Sequence, residues 1–276
     1  MNGTKHKSLL AAVSLATAFI AGGARAEDGH FGISFGADYT SGTYGGATRT
    51  DILYVPFTGK FETNLYSLKL TVPYIRISGA GNVVGGISPI VVENEGGGRR
   101  GRGNGGFEDN RVGSATNSGL GDIIAAASYN LLDLGSQGVL VDVTGKIKFG
   151  TADERKGLGT GENDYSIQGD VTKSFDAFSL FGSAGYRFLG DPPGINLRNV
   201  FFGSVGGSYK FLQLTSGGLV YDFAQASSAG TGEVREITAF VSYKVTPVSK
   251  FQVYVLGGFS SGSPDYGGGL SYSYKF

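Results

Sequence analysis

The residues Leu270-Ser271-Tyr272-Ser273-Tyr274-Lys275-Phe276 alternate apolar and polar up to a final Phe. A period of two sends successive side chains to opposite faces, so this run is a strand with one greasy side and one polar side. An alternating aromatic strand that stops on Phe has the form of the closing strand of a bacterial outer-membrane barrel. Tyr272, Tyr274 and Phe276 are then the segment that the barrel-assembly machinery reads. The constraint on the fold is severe. Hydrocarbon offers backbone N–H and C=O groups no partner, so only helices and closed barrels cross it.

The other end agrees. Lys5 and Lys7 precede an apolar, small-residue stretch from Leu9 to Gly23, and Ala24-Arg25-Ala26 follows. This predicts a secretory signal peptide over residues 1–26 and a barrel domain over 27–276. No other run approaches the roughly 18 apolar residues of a transmembrane helix. The chain has no Cys, so its stability must come from ladder closure and burial rather than from disulfides. Removing Lys5, Lys7 and Arg25 leaves 20 basic residues against 23 acidic ones. That balance provides no basic field for nucleic acid. His30 is the one His beyond the leader, which leaves almost no inventory for histidine catalysis or imidazole metal ligation. No cofactor and no catalytic residue is expected.

Twelve segments follow the barrel pattern of about 10 residues, apolar outward and polar inward. The cleanest is the fifth, where Val139, Val141, Val143, Ile147 and Phe149 share a face with Gly145, and Asp142, Thr144, Lys146 and Lys148 share the other. The sixth sets Tyr165, Ile167, Gly169 and Val171 against Ser166, Gln168, Asp170 and Thr172. The tenth sets Ile237, Ala239, Val241, Tyr243 and Val245 against Glu236, Thr238, Ser242 and Lys244, with Phe240 as an apolar intruder. The first alternates from Phe31 to Asp38. Segments two, three and four are predicted over 50–61, 66–77 and 121–131, and seven and eight over 178–188 and 200–211. Segment nine, over 218–224, is the shortest, and eleven and twelve fall over 251–259 and 266–276.

The connections sort by length. Short ones fall on one side, which places the N-terminus in the periplasm, and the longer ones (41–48, 78–120, 151–164, 189–199, 225–233 and 260–265) fall on the other. Tyr39, Tyr74, Phe149, Tyr186 and Tyr221 lie near the predicted outer edge. Phe61, Tyr66, Tyr129, Tyr209, Tyr243 and Tyr274 lie near the inner edge, and two such aromatic belts are expected at the lipid interfaces. Arg76 and Lys173 face lipid by parity, at strand ends where long stems can snorkel.

Parity directs Asp38, Lys60, Lys69, Asp122, Asp142, Lys146, Lys148, Asp170, Arg187, Lys210, Asp222, Glu236 and Lys244 into the lumen. Two arrangements are open for them: opposed acidic and basic walls that orient polar solutes, or pairs that rigidify the barrel. Twelve strands lie between the filled eight-stranded barrel and the open sixteen-stranded one, so a narrow pore and a partly plugged lumen both fit. The loop 78–120 carries Arg99, Arg100, Arg102 and Arg111 among glycines and acids. It reads as a constriction at the mouth, as an arginine contact to lipopolysaccharide, or as a solvated surface loop. Gly157-Leu158-Gly159-Thr160-Gly161 lacks the Lys-Ser/Thr pair and helix of a phosphate loop, and the acidic loops lack calcium-loop spacing.

Several motifs occur together in order: Ser118-Gly119-Leu120-Gly121-Asp122-Ile123, Lys146-Ile147-Lys148-Phe149-Gly150-Thr151-Ala152-Asp153, the glycine run from Gly157 to Gly161, and the segment from Gly257 to Gly267. The chain resembles the outer-membrane family named after the meta-pathway of phenol degradation. It departs from that family at Phe149-Gly150-Thr151, where Pro-Thr-Gly is usual after the Lys-rich strand. The resemblance implies an all-β, up-and-down transmembrane barrel in the outer membrane that passes small solutes, with aromatic compounds suggested by the family name. It supplies no catalytic residues. The alternatives are a structural or adhesive barrel that binds a partner through its outer loops, and an outer-membrane hydrolase, for which His30 at the start of the first segment is badly placed.

Overall fold

The computed structural model describes residues 29–46, 48–79, 83–84, 90–91, 115–194, 196–228 and 231–276. Its strands are β1 (His30–Gly42), β2 (Thr50–Glu62), β3 (Tyr66–Gly79), β4 (Val83–Val84), β5 (Ile90–Val91), β6 (Ala115–Leu120), β7 (Ile123–Leu134), β8 (Val139–Phe149), β9 (Asp164–Phe175), β10 (Phe178–Phe188), β11 (Val200–Lys210), β12 (Thr215–Ala224), β13 (Val234–Thr246), β14 (Ser249–Gly258) and β15 (Tyr266–Lys275). Among the described residues, β4 and β5 pair only with each other. The others form one antiparallel ring in chain order, closed by β1 against β15.

The ring has twelve wall positions because β6 and β7 are two pieces of one strand. β6 pairs with the outer half of β3 and β7 with its inner half. The break is Gly121-Asp122, where the Gly121 N–H still donates to the Pro73 carbonyl at 2.8 Å. Residues 115–120, expected to end the long loop, are therefore wall. Their Thr, Asn, Ser and Gly offered no apolar alternation to mark them. The ninth predicted segment also starts earlier, at Thr215, so Gly217-Gly218 lies within β12.

Lipid and lumen separate by parity as expected. Phe149, Val171, Val205, Leu219, Val241 and Val255 are exposed on the outer face. Thr144 and Lys148, on the alternate register of β8, are 8% and 6% exposed. The belt residues Tyr39, Tyr74, Tyr129, Tyr209 and Tyr243 all lie on the outer face and are exposed. Lys173 reaches the inner interface, where its ammonium meets the Gln137 carbonyl and lies 5.1 Å from the centre of the Phe175 ring. On the same side, the two-residue turn Asp176-Ala177 puts Asp176 in the left-handed region at φ 44°. Asp tolerates that region better than most side chains.

The predicted signal peptide over 1–26 and the arginines 99, 100, 102 and 111 lie outside the described residues.

Candidate functional site

Among the described residues, the interior is the surface that carries most of the candidate charges. Near the outer ends of the strands, Lys148 on β8 lies 2.7 Å from Asp122 Oδ2 and 3.0 Å from Asp164 Oδ2. All three side chains are at most 7% exposed. Asp122 also accepts from the Ala152 backbone N–H at 2.9 Å, which ties the break between β6 and β7 to the loop 150–163. Gly159 of that loop lies over Asp122 so closely that a Cβ would collide with the carboxylate and with Ala152. Arg187 on β10, 3% exposed, places its guanidinium 4.8 Å from the centre of the Phe202 ring.

Further down the wall, Lys146 donates to Gln168 Oε1 at 2.9 Å. Gln168 in turn donates to Asp170, which also accepts from Thr144 at 3.4 Å. Asp142 accepts from Asn130 at 2.9 Å, and Asp38 accepts from the Tyr254 hydroxyl.

The charges do not sort into opposed walls. Signs group instead along the axis. Lys60, Lys69, Lys210, Lys244, Lys250 and Lys275 gather toward the inner ends of their strands, against Glu62 and Asp142. Asp38, Asp122, Asp164, Asp222 and Glu236 lie in the outer half, against Lys148 and Arg187. Of the predicted lumen residues, Lys210 and Lys244 are exposed at the inner rim, because they fall on the last and third-last residues of β11 and β13. At that rim Glu62 pairs with both Lys60 and Lys275.

Four like-signed pairs stand directly opposite each other on neighbouring strands: Lys60 with Lys69, Lys244 with Lys250, Asp142 with Asp170, and Asp222 with Glu236. Like charges in that position are destabilising. Opposite-sign pairing along the wall, between neighbouring strands, therefore describes the Lys148 cluster but not the interior as a whole.

Apolar and aromatic residues also point inward, and parity alone did not single them out. Val220, Phe240, Tyr254 and Leu256 form a cluster, with Phe181 packed against it. Four inward rings each lie on a glycine of the adjacent strand: Phe202 on Gly185, Phe181 on Gly206, Phe240 on Gly218 and Tyr254 on Gly269. A Cβ at any of these glycines would collide with the ring. Glycine lets the rings lie along the wall rather than across the lumen. The sequence marker was available, because Phe240 broke the alternation of its segment.

A second apolar cluster lies at the outer ends of β2 and β3. Leu158 and Ala152 from the loop 150–163 and Tyr44 from the loop 43–49 pack on the inward Ile52, Ile75 and Ile77. Tyr44 and Leu158 are 0% and 1% exposed. Tyr44 holds a left-handed backbone (φ 48°) and donates from its hydroxyl to Thr40 at 2.8 Å. Burial pushes its phenol pKa up. A bulky residue at positive φ carries strain that the surrounding packing must sustain.

A family model described as "Putative MetA-pathway of phenol degradation" matches residues 23–276. Among solved structures, the COG4313 outer membrane channel from Pseudomonas putida F1 superposes with a TM-score of 0.62 at 12% identity, over 90% of this chain and 95% of that one. The P. putida toluene transporter TodX superposes with a TM-score of 0.45 at 10% identity, over 91% of each chain. At such identities the first likeness is one of fold. No curated protein matches the chain in sequence.

Proposed function

The chain belongs to the family described as "Putative MetA-pathway of phenol degradation", and we propose that it is a passive outer-membrane channel for small solutes, flat aromatic compounds among them, rather than an enzyme. The observation that carries this reading is the sorting of interior charge. Lys60/Lys69, Lys244/Lys250, Asp142/Asp170 and Asp222/Glu236 face one another with like sign. A dry, filled barrel bears the full desolvation cost of such charges, whereas water in the lumen screens them. Wet charge at the inner mouth and ring faces laid along the wall above it form a path for a solute that is part apolar and part polar.

We assign the loop cluster at the outer ends of β2 and β3 as a gate on this path. Leu158 and Tyr44 hold it by apolar contact, so opening shifts two loops and leaves the wall ladder intact. Passage is then diffusion down a gradient with one gating step.

Single-channel recording in planar bilayers tests the reading, together with liposome swelling across sugars, amino acids and aromatic alcohols. Discrete conductance steps and faster swelling with aromatic alcohols than with sugars of equal mass are expected. A folded, heat-modifiable barrel that is silent and passes no solute sinks it.

A further inference from the structure

One charged side chain in the interior has donors that the fold does not use. Arg187 is 3% exposed, and its Nε and Nη2 are buried without a hydrogen-bond partner among the described residues. These two nitrogens share the edge of the guanidinium on which N–H bonds run parallel, the edge that grips a carboxylate at both oxygens. Asp164, the acid that faces it, lies 3.0 Å from Lys148 through Oδ2 and keeps Oδ1 buried without a hydrogen bond, and the interior ion pairs among the described residues leave Arg187 out. Val200, its register partner on β11, is 1% exposed, and Phe202 lies beneath the guanidinium. A polar fork is thus set against an apolar flank.

Building on the channel reading, we infer that Arg187 and Phe202 form a lumenal subsite for a planar carboxylate carried on a flat apolar body. The fork takes the two carboxylate oxygens, and Phe202 with Val200 takes the body. Asp122 and Asp164 balance Lys148 and Arg187, so the cluster has no net charge to trap an anion. Lys146 lies within electrostatic reach of Arg187 and adds attraction, while Asp164 adds repulsion. The result is capture by geometry and ready release, which a conducting path requires.

Benzoate and benzyl alcohol are the probes, titrated into the detergent-solubilised full chain and followed by tyrosine fluorescence, since the chain has no Trp. The same proteins are reconstituted for liposome swelling. Wild type is expected to bind benzoate saturably. Arg187→Lys, which keeps the charge and loses the fork, and Arg187→Gln are each expected to bind it about tenfold more weakly or worse. Benzoate affinity retained in Arg187→Lys overturns the fork, and affinity retained in both variants makes Arg187 a structural residue and overturns the subsite.

Heat-modifiable gel mobility reports folding. If an Arg187 variant does not fold, Phe202→Leu carries the test: weaker benzoate binding supports the subsite, and unchanged binding overturns it. Saturable, Arg187-dependent binding in a barrel that passes neither solute counts against the channel reading and leaves the subsite standing.

Discussion

Replacing Lys148 with Met isolates what holds the outer end of the barrel together. The ammonium sits between Asp122 and Asp164 at 2.7 and 3.0 Å, and the carboxylates are 5% and 1% exposed. Met fills much of the same space, so the loss is electrostatic rather than a cavity. Removing one partner of a buried ion pair costs about 3–5 kcal/mol, because the remaining charge stays buried and uncompensated. Here two carboxylates are orphaned, but Arg187 faces the same region, and Asp122 keeps its bond from the Ala152 N–H. The lower part of the range, about 3 kcal/mol, is therefore expected, a shift of roughly two decades in the unfolding constant.

The assay is urea unfolding in lipid vesicles, read by heat-modifiable gel mobility and circular dichroism. A triple variant, Lys148→Met with Asp122→Asn and Asp164→Asn, removes the whole charge set and should regain most of the loss, since an ion cluster replaced by uncharged groups is often neutral in stability. If Lys148→Met leaves the urea midpoint in place, the cluster is solvated and the reasoning fails. If the triple variant is less stable than the single one, the carboxylates are not the origin of the cost.

Three further outcomes follow from the same geometry. Leu270→Lys, on the outer face of β15, should cost about 2–4 kcal/mol in vesicle unfolding, while Ser271→Lys on the inner face should cost far less; equal costs contradict the assignment of faces. Leu158→Ala combined with Tyr44→Ala should raise the open fraction or unitary conductance in planar bilayers, and an unchanged record would show that the two loops do not close the mouth. Lys244→Gln should stabilise the barrel by about 0.2–1 kcal/mol by relieving its repulsion with Lys250, and should shift the reversal potential toward cations; a loss of stability would mean that Lys244 has an attractive partner.

The wall was legible because a membrane imposes one rule on every strand. Val139, Val141 and Val143 had to meet acyl chains and Thr144 and Lys148 had to avoid them, so alternation alone fixed both faces of β8. β6 escaped that rule because its residues are small and polar and, among the described residues, it has a ladder partner on one side only. The interior was legible by address and not by partner. Parity placed Lys148 and Arg187 inside, but which acids reach Lys148 depends on the break at Gly121-Asp122 and on the fold of the loop 150–163, and neither has a period.

Asp164, assigned to a loop, is the first residue of β9 and half of the Lys148 cluster. Tyr44 and Leu158 belong to segments with no strand pattern, so nothing local announced their cluster. The inward rings form an intermediate case. Each of Phe181, Phe202, Phe240 and Tyr254 violates the polar-inside rule, and each faces an inward glycine across the ladder. A violation paired with a glycine is itself a pattern, but it appears only once the register between strands is known. In a barrel, then, the lipid face is encoded within each strand, while the lumen is encoded between strands, and the parts of this site that bear on what passes through it are all of the second kind.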